Sequence, residues 1–445
     1  MTGVRGQAVA GRAVAPAAPV AGPPGARLWR HLRDPLLGNV YALTLNTVVS
    51  SLLGIGYWVI AARLYPPEQL GVGAAVVSTM LFLSNLSQLN LNGALARFLP
   101  TSGAGGGRLI RYAYLLSGAA AVVVGVGFLL LGPLASDRLT PPAAGALFAA
   151  LFVVAVAAWS VFTLQDTVLT ALRGAIWVPV ENAAFGILKI AMLVALLGVL
   201  PEHAIFLSWL GPALLALVPV NLLVFRRLLA RAQRIRGTVE GLPDRRVLLR
   251  FVSLDYVGYL FLQAGTNALP LLVAASLGAQ ANAVFYVGWL LGTALELVAY
   301  HFGTSLTVES AAAPERLPAY ARQVLRRGLL LFGGGALVLV ATAPVLLRLF
   351  GSHYAQASAG VLRLFAIAVI PRLLITMFVA ACRVRRTIGR VVAVHATVTT
   401  LVVGLAFALM PALGVTGVGV AYLTGQLLVA AAILPALLRL LRSDA

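Results

Sequence analysis

The sequence predicts an all-α polytopic membrane protein of about twelve transmembrane helices, and three observations predict it. Of 445 residues, 60% are hydrophobic and 10% charged, where an ordinary soluble domain carries about 25% charge. Uncharged runs recur along the chain, each long enough to cross about 30 Å of hydrocarbon as helix. Between them, arginine-crowded and arginine-poor segments alternate, the bias that sets orientation during membrane insertion.

The elements follow in order. Residues 1–35, rich in Ala, Pro and Gly and carrying Arg5, Arg12, Arg27, Arg30 and Arg33, hold no compact apolar run of signal-peptide type and read as a disordered cytoplasmic tail. The first two runs extend from Pro35 to Ala62 and from Gln69 to Ala96, each predicted as one helix. The third and fourth run from Tyr112 to Ser136 and from Leu139 to Gln165. The fifth, from about Val178 to Leu200, is crossed by Lys189, and the sixth runs from His203 to Phe225. After a basic stretch, Tyr256 to Leu295 is too long for one crossing, and LGAQANA supplies a turn between helices seven and eight. Helices nine and ten span about Gly328 to Leu347 and Ala359 to Ala381. Val391 to Leu438 again holds two, divided at MPALGVTG.

Charge tests this count. With both termini cytoplasmic, the inner segments hold 27 arginines and the outer loops only Arg63, Arg138 and Arg348. One helix more or fewer would invert half the loops. The net charge of +20 therefore reports topology in a cell membrane before it reports any partner, and nucleic acid is not expected. AARLYPPEQLGVG and AASLGAQANAVFYVG form a faint repeat, Ala61 and Ala274 standing 213 positions apart. It divides the chain into a six-helix lobe over 36–226, a basic cytoplasmic linker over 227–247 and a second six-helix lobe over 248–445. Such parallel repeats occur in several transporter folds.

Function classes narrow next. The one lysine, Lys189, follows no glycine-rich loop, so no phosphate-binding ATPase motif is present. Single Cys382 allows no internal disulfide, and the five histidines lie on separate segments with no second ligand at helical spacing. Short outer loops leave no room for the paired carboxylates of a glycan-processing enzyme. No enzyme, metal site or cofactor is expected; a carrier with two mobile lobes fits better.

WVIAARLYPPEQLGVGAAVVSTMLFLSNLSQLNLNGALARFLP resembles the opening of the polysaccharide-transporter family of the MOP (multidrug/oligosaccharidyl-lipid/polysaccharide) flippase superfamily. LQDTVLTALRGAIWVPVENAAFGILKIAML, LFGSHYAQASAGVLRLFAIAVIPRLL and LGVTGVGVAYLTGQ are similar to it as well, so the likeness spans residues 38–435. It implies two V-shaped lobes around a central cavity and alternating-access movement of lipid-linked oligosaccharide or polysaccharide precursors from the inner to the outer leaflet. The implied partners are that lipid-linked glycan, membrane lipids, and glycan synthases or polymerases. A cation-coupled multidrug exporter of the MATE type is the alternative.

Charges at bilayer depth cost about 2.5–3.5 kcal/mol on insertion scales, so they face a cavity or a partner. Lys189 and Arg372 stand near the middle of their helices and Arg363 nearer the outer mouth; each either meets a pyrophosphate or braces helices against a carboxylate. Arg363 and Arg372, nine residues apart, project from different faces unless Pro371 realigns them. Glu296, Asp255 and Asp166 are coupling or gate candidates, or salt-bridge partners of nearby arginines. Ser84, Gln88 and Asn92 recur every four residues as a polar stripe, suited equally to sugar hydroxyls and to joining helices. Arg97, just beyond, is a topology residue or a phosphate contact at the inner entrance.

Overall fold

A computed structural model describes residues 35–135, 145–231 and 254–442. Nearly all of the expected tail, and most of the expected linker, lie outside them. The described chain is helical and multi-pass. The N-terminal half comprises α1 (Pro35–Leu64), α2 (Pro67–Ser87), a short α3 (Leu91–Phe98), α4 (Gly106–Ala135), α5 (Ala146–Ala171), α6 (Trp177–Ala195) and α7 (Ala204–Leu223). The C-terminal half comprises α8 (Leu254–Leu277), α9 (Ala279–Ala312), α10 (Leu317–Leu347), a short α11 (Ser352–Ala357), α12 (Ala359–Val384) and α13 (Ile388–Arg442).

At 55 residues α13 would extend about 80 Å as one straight helix. It breaks at Gly414, whose φ of 56° and ψ of −138° lie outside helical values, inside the MPALGVTG turn. Its two arms bring the long helices to the expected twelve. The repeat is visible in the backbone as well. α1 and α8 end at Leu64 and Leu277, again 213 positions apart. The Tyr65 amide donates to Ala61 O at 3.0 Å, and the Gly278 amide to Ala274 O at 3.1 Å.

The second run departs from its expectation. It is interrupted where Leu89 and Asn90 take positive φ values of 49° and 59°, so α2 ends at Ser87 and α3 starts afresh at Leu91. Asparagine tolerates this left-handed conformation; leucine rarely adopts it.

Packing decides the shape. Arg97, Arg108, Arg111, Arg173, Arg226, Arg227 and the arginines of 316–327 and 383–390 mark one end of the bundle, called the arginine-rich end below. One apolar core runs through both halves and includes Trp58, Leu70, Phe206, Phe285, Phe350 and Phe365. Toward the arginine-rich end two further cores each stay within one half. Leu95, Ile110, Leu164 and Leu169 form the first, and Leu306, Phe332, Leu373 and Met377 the second.

The far end is fastened between halves. Arg63 donates from Nη2 to Arg348 O at 2.6 Å and from Nε to Leu349 O at 2.8 Å. Asn282 Nδ2 donates to Gly71 O at 2.8 Å, and the Trp58 and Tyr286 rings lie 4.5 Å apart. Nearer the arginine-rich end the bonds that cross are those of α8 tyrosines to the end of α2: Tyr256 to Leu86 O, and Tyr259 to Asn85 Oδ1 at 3.3 Å. The halves are thus one body at one end and two legs at the other.

Candidate functional site

The C-terminal half holds a polar cluster built on α9, α12 and α13. Arg372 follows Pro371 in α12, and its Nε lies 4.0 Å from Glu296 Oε2, the two side chains being 15% and 11% exposed. Tyr422, on the second arm of α13, donates its hydroxyl to Glu296 Oε1. Arg372, Arg383, His395, Tyr300 and Thr304 share a pocket of about 30 Å³, room for a water or two. A smaller recess behind it, lined by Arg372, His395, Thr399, Tyr422 and Gln426, carries the same polar surface deeper. Tyr300 and Thr304 are exposed, so the outer pocket has an open rim.

Arg383 was the residue sequence reasoning missed, counted with the topology arginines of the following loop. The signal was present, because eleven residues make just over three whole turns and return a side chain to the same face. Arg363 behaves as its spacing required: it lies on the other face of α12, exposed, with Nε donating to Val340 O at 3.2 Å. It does not join the cluster.

Lys189 corrects a larger expectation. It opens onto no space between the halves and forms no ion pair among the described residues. It is 5% exposed, inside the N-terminal half, with Nζ 4.0 Å from the Trp209 ring centroid, 4.7 Å from Tyr57 and 5.1 Å from Phe185. Desolvated contacts of this kind are worth about 2 kcal/mol or more each, and three of them substitute for a carboxylate. The rings come from α1, α6 and α7, so the lysine ties three helices together. Lys189→Met keeps the volume and removes the charge, and is expected to lower the unfolding midpoint of the purified protein in detergent.

The amide stripe is likewise committed to helix joining. Gln88, 3% exposed, donates to Thr163 Oγ1 at 2.8 Å and accepts from Asn92 Nδ2 at 2.5 Å. Thr167 donates to Asn92 Oδ1 at 2.8 Å. These bonds fasten α2 and α3 to α5, the helix-joining one of the two uses the stripe allowed. Ser87, Ser117 and Ser160 extend the seam to α4. Arg97 sits exposed at the arginine-rich end, its guanidinium 5.6 Å from the Phe98 ring.

The acids fall into two groups. Asp166 accepts from Asn182 Nδ2 at 3.2 and 3.3 Å, a tie between α5 and α6 rather than a contact with Arg173. Asp255 stands in the first turn of α8, and its side chain lies outside the described residues. Glu296 is the acid that meets an intramembrane arginine.

No protein-family model matches the chain, and no curated protein matches it. Solved structures do. An inward-facing multidrug resistance MATE family transporter of the MOP superfamily is 16% identical, with a TM-score of 0.67 over 92% of this chain and 100% of that one. The lipid II flippase MurJ, in an inward closed conformation, is 10% identical, with a TM-score of 0.69 over 89% of each chain. An outward-facing MATE transporter superposes at 0.61, at 16% identity over 92% and 97%. The chain has the fold these transporters share.

Proposed function

We propose that this protein is an alternating-access transporter of the MOP type that moves a lipid-pyrophosphate-linked oligosaccharide or polysaccharide precursor from the inner to the outer leaflet. The observation that carries the reading is the core: shared by both halves at the far end, split into two at the arginine-rich end. A molecule so built can rock about the far end while each leg stays rigid. The positive-inside rule makes the arginine-rich end cytoplasmic, so cargo would enter from the inner leaflet.

The cargo class rests on the C-terminal pocket. Arg372 and Arg383 both line it, Glu296 meeting Arg372 from outside the pocket, and guanidinium groups match phosphate oxygens in geometry as well as charge. With room only for water in this conformation, the pocket must widen to admit a phosphate, by displacement of the rim on α9. Tyr300, Thr304 and Gln426 supply hydroxyl and amide groups for sugar or phosphate oxygens.

A second reading, a cation-coupled small-molecule exporter, draws on the half-buried Asp166 and the buried Glu181 in the N-terminal half. Proteoliposomes separate the two. A fluorescent polyprenyl-pyrophosphate sugar should be translocated by the parent and at least tenfold more slowly by Arg383→Gln, with ethidium unmoved. Ethidium export, with the lipid-linked sugar left in place, would select the exporter.

A further inference from the structure

In the N-terminal half, α6 and α7 enclose a groove of about 530 Å³, within the range of small-ligand sites. Its origin is in the spacing. Pro212, Ala216 and Pro219 line one face of α7, and Ala184 stands on the opposing face of α6; short side chains on both walls leave a trough between longer apolar neighbours. From Pro212 to Arg226 the trough covers about 20 Å of helix, slightly more than one leaflet of a 30 Å core.

Its ends differ in chemistry. Toward the bilayer middle it is apolar, closed by Leu188 and Pro212. At the arginine-rich end the exposed Arg226 and Arg227 form the mouth, on a single turn of π-helix (Val224–Leu228), a distortion frequent at functional positions. Glu181 forms part of the wall. It is 6% exposed, and its carboxylate oxygens are covered, so the polar surface the groove offers is that of the arginines at its mouth.

We propose that this groove is a binding site for one glycerophospholipid of the cytoplasmic leaflet, of the phosphatidylglycerol kind. An acyl chain fills the trough, and Arg226 and Arg227 hold the phosphate. Charge complementarity selects an anionic lipid. The site is separate from the C-terminal pocket and independent of what cargo is moved.

Native mass spectrometry of the purified full chain, offered equal amounts of phosphatidylglycerol, phosphatidylmethanol and phosphatidylcholine, tests it. Phosphatidylglycerol and phosphatidylmethanol, which have the same charge, should each be retained at least tenfold over phosphatidylcholine. Arg226→Gln with Arg227→Gln should reduce phosphatidylglycerol to the phosphatidylcholine level, whereas Arg326→Gln with Arg327→Gln, an exposed pair on the other half, should not. Ala216→Phe, which fills the trough and keeps the arginines, should lower retention of phosphatidylglycerol at least fivefold. Equal retention of all three lipids by the parent, or undiminished phosphatidylglycerol in either the double-arginine or the Ala216→Phe protein, would overturn the proposal.

Discussion

Arg372→Met should lower the stability of the purified protein by about 3 kcal/mol, because it leaves Glu296 buried without its cation. That is a more than hundredfold change in the folded to unfolded ratio. The Tyr422 hydroxyl still donates to Glu296 Oε1, which holds the acid in place without neutralising it. Combining Arg372→Met with Glu296→Gln should recover most of the loss, since the amide no longer needs a counter-charge and Tyr422 can still bond it. The unfolding midpoint in detergent reads both variants. If the single and double variants were equally destabilised, the 4.0 Å pair would contribute packing only. Transport should fail in both proteins, because restoring stability does not restore the positive charge.

Gly71→Leu should arrest the transport cycle. A Cβ at position 71 would stand 1.7 Å from Ala279 O and 2.6 Å from Ala279 C, and a backbone carbonyl has no rotamer by which to give way. α2 and the start of α9 approach this closely at the end where the halves are fastened, one bond away from Asn282 Nδ2 and Gly71 O. A leucine there forces the far end apart. The expected result is a loss of transport of about a hundredfold, with increased modification of single cysteines placed at Gln69 and Ala281 by a water-soluble maleimide. A variant that transports normally would show that far-end closure is not part of the cycle.

Much of the scaffold was legible because membrane physics writes it into the sequence. The twelve long helices, the break near Gly414 and the equivalent helix ends at Leu64 and Leu277 all follow from uncharged run length and turn residues. The break after Ser87 was not legible: Leu89 and Asn90 lie inside a run with no proline and no charge, and only the three-dimensional packing of α3 against α5 calls for it. Charged residues were read by depth, which is a local property, whereas their partners are not local. Tyr57 and Trp209, the rings over Lys189, lie on other helices far along the chain, and Glu296 meets Arg372 from across the C-terminal half. Arg383 could have been found by its eleven-residue spacing from Arg372, had the helix been extended past Ala381 to its observed end at Val384.

The arrangement of the two halves makes the conformational part of the mechanism specific. Far-end polar contacts are two carbonyls held by Arg63 and one amide bond from Asn282, laid over the apolar core that both halves share, and a rigid-body rotation must part that core as well as these bonds. The arginine-rich end has α8 tyrosines against α2, and its two separate cores need no repacking when the legs close.

Cargo charge is the decisive variable. The purified protein in proteoliposomes should be offered one fluorescent sugar carried in two forms, on polyprenyl pyrophosphate and on uncharged polyprenol. Movement of the pyrophosphate form alone, abolished by Arg372→Gln with Arg383→Gln, is the expected result. Equal movement of both forms, or equal rates in the parent and the double variant, would contradict a phosphate-recognising pocket in the C-terminal half.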